Sequence, residues 1–176
     1  MKGEELNYNE RYDMSISVSL TPEIVIALMD SGMSQSEIAR QSGLSRQYVS
    51  ILAKRGGHVN PWLVVDDNLP WTVPADYTNN TIYKGVRRHG FFMAHGKKAM
   101  KSLEYKRLEG LWRKLRVFNQ VIDFDPSYEG IPAISQEPGF TYLPRTEKDE
   151  DYIIKIRPGV QLTDIGKKIW RLPAAE

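Results

Sequence analysis

Cysteine is absent from the 176 residues, which removes disulfide frameworks, thiolate nucleophiles and cysteine-ligated zinc in one step. A reducing compartment is the natural setting. Also missing is any apolar run of about 18 residues, the length that a bilayer-crossing helix needs. The opening Met1-Lys2-Gly3-Glu4-Glu5 lacks the basic start and apolar stretch of a signal peptide, so a cytoplasmic protein without a membrane partner is expected. Histidine is scarce. His58, His89 and His95 stand at no metal-ligand spacing, and His89, between Arg88 and Gly90, reads as a phosphate neighbour or helix-end residue. Asp123 and Asp125 read as turn formers before Pro126 rather than as Mg²⁺ ligands. No nucleophile with a supporting arginine cluster is recognisable, so the expectation is no enzyme, no catalytic residue, no metal, no cofactor and no small-molecule substrate. Internal repeats and low-complexity tracts are absent too.

With 41% hydrophobic and 26% charged residues the chain belongs to the ordinary globular class. Its net charge of +2 conceals an asymmetry. Between Lys84 and Arg116, eleven Lys and Arg stand against Glu104 and Glu109 alone, which leaves 13 basic and 20 acidic residues elsewhere. So basic a middle third is a candidate face for a polyanion.

Residues 14–20 alternate apolar and polar, as a half-buried strand does. Three short helical patterns follow. Thr21 caps the first, with Pro22 at the first helical position and Val25, Leu28 and Met29 on one face, and Asp30-Ser31-Gly32 ends it. Ser34 opens the second with Glu37 three residues on, Met33 is placed to staple onto Ile38, and Gly43 closes it. Ser45 opens the third, with Leu44 and Val49 in the staple positions, and Gly56-Gly57 stops it after Lys54-Arg55. Pro61, Pro70 and Pro74 forbid one long helix across 58–77, which reads as a linker packed down by Trp62 and Trp71. Asn79-Asn80-Thr81 cap a helix through Ile82 and Val86 that ends by Gly90 or Gly96, and Leu108, Leu111, Trp112 and Leu115 stripe a stronger helix over 102–117. Strands are expected at Val121–Phe124, Phe140–Leu143 and Tyr152–Arg157, with an acidic hairpin loop at Glu147-Lys148-Asp149-Glu150-Asp151. Thr163 caps a last helix, Asp164–Leu172, that buries Ile165, Ile169 and Trp170.

The stretch from Ser34 to Lys54 has the spacing of a helix-turn-helix. Ile38 and Ala39 face inward from its first helix, Gly43 makes the turn, and Val49 and Leu52 face inward from the second. Helices crossing at about 90–120° need a small residue where they touch, a glycine where the backbone turns, and branched residues in the angle. The second helix then offers Ser45, Arg46, Gln47 and Ser50 at its N-terminal end, where, with Gln35, they suit base edges in a major groove. Tyr48, Lys54 and Arg55 suit the DNA backbone. Lys84, Arg87, Arg88, Lys97, Lys98, Lys101 and Arg113 are the further phosphate contacts expected from the basic segment. The fold class is α+β: a helix-turn-helix DNA-binding domain over 1–60, a Trp/Pro-rich helical linker over 61–80, and a C-terminal α+β DNA-contacting domain with a small antiparallel sheet over 81–176.

Several stretches taken in order carry a resemblance. Gln35–Ser50, Leu69-Pro70-Trp71, Arg88-His89-Gly90 with Met93, the Leu108–Arg116 helix with Trp112, Phe124-Asp125-Pro126-Ser127, Gly139–Arg145 and Gln161-Leu162-Thr163 together resemble the stoperator-binding immunity repressors of temperate mycobacteriophages. The resemblance spans residues 20–172. It implies a lysogeny repressor that acts on double-stranded DNA in the bacterial host's cytoplasm, at the nucleoid. Its short asymmetric sites would lie at an early lytic promoter and at stoperators scattered through the phage genome. Blocked initiation or elongation there would confer superinfection immunity. It also implies binding as a monomer.

The residues agree on one point. A single helix-turn-helix reads only a few base pairs, so such proteins dimerise or add a second contact surface. No heptad zipper is present, and the basic segment with the C-terminal sheet can supply that surface. Nor is there an Ala-Gly cleavage site with a Ser/Lys pair, so self-cleaving induction is not indicated. Two other readings stay open at this level: an excisionase-like factor that bends DNA, and a protein-interaction adaptor using the 102–117 helix and C-terminal sheet.

Overall fold

Capping chemistry sets the boundaries of the first three helices. In the computed structural model, which describes residues 20–133 and 135–174, these are α1 (Pro22–Asp30), α2 (Gln35–Ser42) and α3 (Arg46–Arg55). The strand expected at 14–20 lies, Leu20 apart, outside the described residues. Thr21 Oγ1 accepts the Ile24 N–H at 3.4 Å, and Pro22 at the first helical position forfeits no intrahelical bond. Ser34 and Glu37 close a reciprocal box: Ser34 Oγ accepts the Glu37 N–H at 3.2 Å while the Glu37 carboxylate accepts the Ser34 N–H at 2.9 Å. Caps of this kind contribute about 1 kcal/mol each. Gly43, at φ 66°, takes the left-handed conformation that lets the chain leave α2 and turn into α3, where Ser45 Oγ accepts the Tyr48 N–H at 3.2 Å. Val25, Ile38, Ala39, Val49, Leu52 and Ala53 are buried together, rimmed by Leu20, Leu28, Met29 and Met33. Leu44, in its staple position, remains exposed.

The chain divides into two compact units, Met1–Val59 and Asn60–Glu176. The second is α+β. It contains α4 (Leu63–Asp66), α5 (Thr81–His95), α6 (Ser102–Val117), the antiparallel pair β1 (Gln120–Phe124) and β2 (Phe140–Pro144), and α7 (Gly166–Ile169). In the β1/β2 register Val121 faces Leu143 and Phe124 faces Phe140. Buried Asn80 caps α5, its Oδ1 accepting the Ile82 N–H at 2.8 Å, while its amide donates to the carbonyls of Glu137 and Pro138. The core gathers Ile82, Val86 and Phe91 of α5, Leu115 of α6, Ile122, Phe140, Ile153 and Trp170. Segment 61–80 contributes Val65 and Trp71 to that same core.

α5 passes through Gly90 without a break, and this glycine faces a ring. A Cβ there would stand 2.8 Å from Trp170 Cη2 and 3.1 Å from Val65 Cγ1. Gly90→Ala is therefore expected to destabilise the second unit by about 1–3 kcal/mol, although alanine is the better helix former. Urea unfolding checks this, and a stabilised variant would contradict it.

Three expectations for the C-terminal stretch differ from the structure. The stretch Tyr152–Arg157 is not a strand but makes isolated bridges, Ile122 with Ile154 in parallel and Tyr152 with Arg171 in antiparallel sense. Polar capture stops the ladder: the Asp149 carboxylate takes the Ile156 N–H at 2.7 Å, and Arg157 turns away to Asp123 and the Phe124 carbonyl. With no third strand among the described residues, the acidic stretch forms a 3₁₀ turn, Glu147–Asp149, rather than a hairpin loop. The Thr163 hydroxyl does accept the Gly166 N–H at 2.8 Å, but the last helix spans only Gly166–Ile169, and its N-cap position falls on Ile165 rather than Thr163. The chain beyond it is claimed by bridging, since the Trp170 carbonyl accepts the Ile153 N–H and the Leu172 N–H goes to Asp151. Ile169 and Trp170 are buried as expected, whereas Ile165 is 46% exposed.

Candidate nucleic-acid interface

With successive side chains about 100° apart around a helix, burying Val49, Leu52 and Ala53 leaves the opposite face of α3 to solvent. Arg46, Gln47 and Tyr48 are exposed on its first turn and Lys54 and Arg55 on its last. Among the described residues Arg46, Lys54 and Arg55 have no acidic partner. Ser45 gives its hydroxyl to the cap, at the positive end of the helix dipole. Ser50 and Gln35 are half-buried, and the Gln35 amide points to Met29 Sδ at 3.9 Å. One residue of this face escaped the sequence reading. Ile51, 47% exposed, stands one turn after Gln47, and that i+4 spacing was the signal for it. A branched apolar group there suits a thymine methyl.

The basic segment is less free than its charge count suggests. Lys84, Lys98, Lys101 and Arg113 are exposed without an acidic partner among the described residues, and Lys97 lies 4.1 Å from the centre of the Tyr105 ring. Arg87 instead grips Asp66 through two bonds of 2.9 and 2.8 Å and covers the Trp62 ring. Arg88 pairs with Glu104, which also receives Arg107 at 2.9 Å. Burial pushes the Glu104 carboxyl up, but the two arginines outweigh it and hold it below its ordinary value. Either Arg87 or Arg88 would have to exchange a carboxylate for a phosphate to touch DNA.

His89 is neither a helix-end residue nor a phosphate neighbour. It lies within α5, fully buried, with its Nδ1 accepting the Trp112 Nε1–H at 2.9 Å and its ring stacked on Trp170 at 6.2 Å between centres. Burial drives its pKa down from 6.5 to about 3, against the pull of the Ile169 and Arg171 carbonyls toward the charged form. Nε2 makes no hydrogen bond of good geometry with them. Its polar neighbours in sequence hid this placement, while the Ile82, Val86, His89, Met93 spacing on one helix face announced it.

The two aspartates flanking Phe124 divide. Asp125 forms a turn, its Oδ1 accepting the Ser127 N–H at 2.9 Å and hydroxyl at 2.7 Å. Asp123 is wholly buried, and its Oδ2 accepts Arg157 Nε at 2.8 Å and the Tyr128 hydroxyl at 2.9 Å. Two further polar brackets escaped the sequence reading: the partners of Arg145 are main-chain carbonyls, whereas Thr146 and Asp149 stand at the capping-box spacing that was the signal for theirs. Arg145 donates to the carbonyls of Gln120, Glu150 and Tyr152. Burial raises the Asp149 carboxyl, but Lys155, the Ile156 N–H and Thr146 together hold it at about 2.

Among the described residues, no helix is long and apolar enough to cross a membrane. No family model matches the chain. It is, however, 33% identical over 158 residues to the repressor-like immunity protein of Mycobacterium phage L5, an alignment that takes in 89% of this chain and 86% of that protein. Identity of that order across nearly the whole of both chains carries the resemblance that the ordered motifs suggested, and the chain belongs to the mycobacteriophage immunity repressor family.

Proposed function

We propose that the protein is a sequence-specific, non-enzymatic repressor of double-stranded DNA that maintains lysogeny and superinfection immunity by binding short asymmetric operator and stoperator sites as a monomer. In this reading α2 and α3 act as a helix-turn-helix, with α3 as the recognition helix in the major groove. Arg46 and Gln47 contact bases, with Gln35, Ser45 and Ser50 beside them, while Tyr48, Lys54 and Arg55 hold the backbone. Lys84, Lys97, Lys98, Lys101 and Arg113 supply phosphate contacts from the second unit, and Arg87 and Arg88 join them only on exchanging their carboxylates. The observation that carries the proposal is the outward, uncommitted first turn of α3, where Arg46 and Gln47 combine base-reading chemistry with a capped helix N-terminus.

Selection of a duplex from a random pool by the full chain tests it. Recovery of one asymmetric sequence is expected, and recovery of unrelated sequences with equal affinity would contradict it. Replacing Lys97 and Lys98 with glutamine should weaken selected and scrambled duplexes alike and lower the slope of log affinity against log salt by about one unit per lost phosphate contact. A loss confined to the selected duplex would overturn the phosphate role.

A further inference from the structure

Gly110 stands exposed in the middle of α6, and a Cβ added there would meet nothing within 4 Å. Glycine in a helix interior costs about 1 kcal/mol relative to alanine. At Gly90 the Trp170 ring explains that cost, and at Gly110 no neighbour among the described residues does. What a bare helix face does permit is the close approach of another molecule's backbone.

About two turns on, the same helix ends in an apolar pair left in solvent. Val117 is 69% exposed and Phe118 is 63% exposed. Phe118 still donates its N–H to the Lys114 carbonyl at 3.1 Å, and Asn119, at φ 46°, then turns the chain into β1. The corner is braced by main-chain bonds: the Asn119 N–H donates to the Arg116 carbonyl at 3.2 Å, and the Asn119 carbonyl accepts the Arg145 N–H at 2.9 Å. Gly110, Arg113, Lys114, Val117 and Phe118 line a shallow depression of about 350 Å³ with no carboxylate among them. Lys114 rests 3.8 Å from the centre of the Tyr142 ring, which fixes its ammonium at the rim.

We propose that this α6–β1 corner seats the second unit on duplex DNA, with Gly110 against a sugar-phosphate strand, Arg113 and Lys114 on its phosphates, and Val117–Phe118 entering the minor groove as an apolar wedge. The proposal rests on the DNA-binding reading above and names the surface it uses. Cations framing an apolar tip beside a bare helix face fit a phosphodiester strand bordering a groove, and apolar wedges of this size unstack base steps in minor-groove binders.

Gly110→Ala and Phe118→Ala, each in the full chain, test it on a duplex selected by the wild type and carrying 2-aminopurine at successive positions. Gly110→Ala is expected to raise the thermal midpoint yet weaken binding about tenfold, a pairing that arises only if a partner approaches the bare face. Phe118→Ala should leave the midpoint unchanged, weaken binding about tenfold and abolish the 2-aminopurine fluorescence rise. Either variant matching the wild type in affinity and fluorescence overturns the proposal. So does wild-type self-association that Phe118→Ala abolishes, which assigns the corner to a second copy. A wild type that selects no duplex sinks the DNA reading itself, whereas tight wild-type binding with unaffected variants sinks only the corner.

Discussion

Replacing Arg46 and Gln47 together with alanine is expected to abolish discrimination between the selected site and a scrambled duplex while leaving the fold intact. A bidentate contact to guanine or adenine is worth about 1–3 kcal/mol of discrimination, so the pair carries a specificity ratio of at least about thirtyfold. Neither side chain makes a side-chain bond to the rest of the described residues, and both are exposed on the first turn of α3. Unfolding should therefore shift by no more than about 0.5 kcal/mol. Titrations of the double variant against both duplexes check the assignment. Equal weakening on the two would make these residues backbone contacts and move base reading elsewhere.

Acidification from pH 7.5 to pH 5 is expected to destabilise the second unit by about 2 kcal/mol through His89 alone. The sign follows from the depressed folded pKa. Above 6.5 the imidazole is neutral in both folded and unfolded chains. Between 6.5 and about 3 the unfolded chain binds a proton that the buried ring refuses, so stability falls steadily as pH drops through that window. The full difference, about 5 kcal/mol, is reached only below the folded value of about 3. Asp149 acts lower down: its stabilisation is complete above the ordinary aspartate value of 3.8 and is lost as pH falls toward about 2. Urea unfolding at several pH values measures the slope, and His89→Gln, which keeps an acceptor for the Trp112 Nε1–H, should flatten it between pH 7 and 5. An unchanged slope in the variant would remove His89 as its source.

Where local chemistry decides, residues announced the structure. Thr21, Ser34, Ser45 and Asn80 each cap the helix expected of them, because an N-cap bond depends on residues only two or three apart. The Leu108, Trp112 and Leu115 stripe marked α6 over Ser102–Val117 for the same reason. Long-range polar bonds decide the rest. Tyr152–Arg157 has the β-branched and aromatic content of a strand, yet a buried carboxylate from Asp149 and an arginine partner on Asp123 leave it with only isolated bridges. The candidate interface divides similarly. The α3 face followed from helix phase, whereas the pairing of Arg87 with Asp66, 21 residues earlier, depends on how α4 meets α5.

One chain is expected to read one asymmetric site with both of its units. Sedimentation of the full chain with its selected duplex gives stoichiometry and site length in a single measurement. One protein per non-palindromic site, longer than a lone helix-turn-helix can cover, is the expected result. Two proteins on a palindrome would contradict it and make the second unit a dimerisation domain.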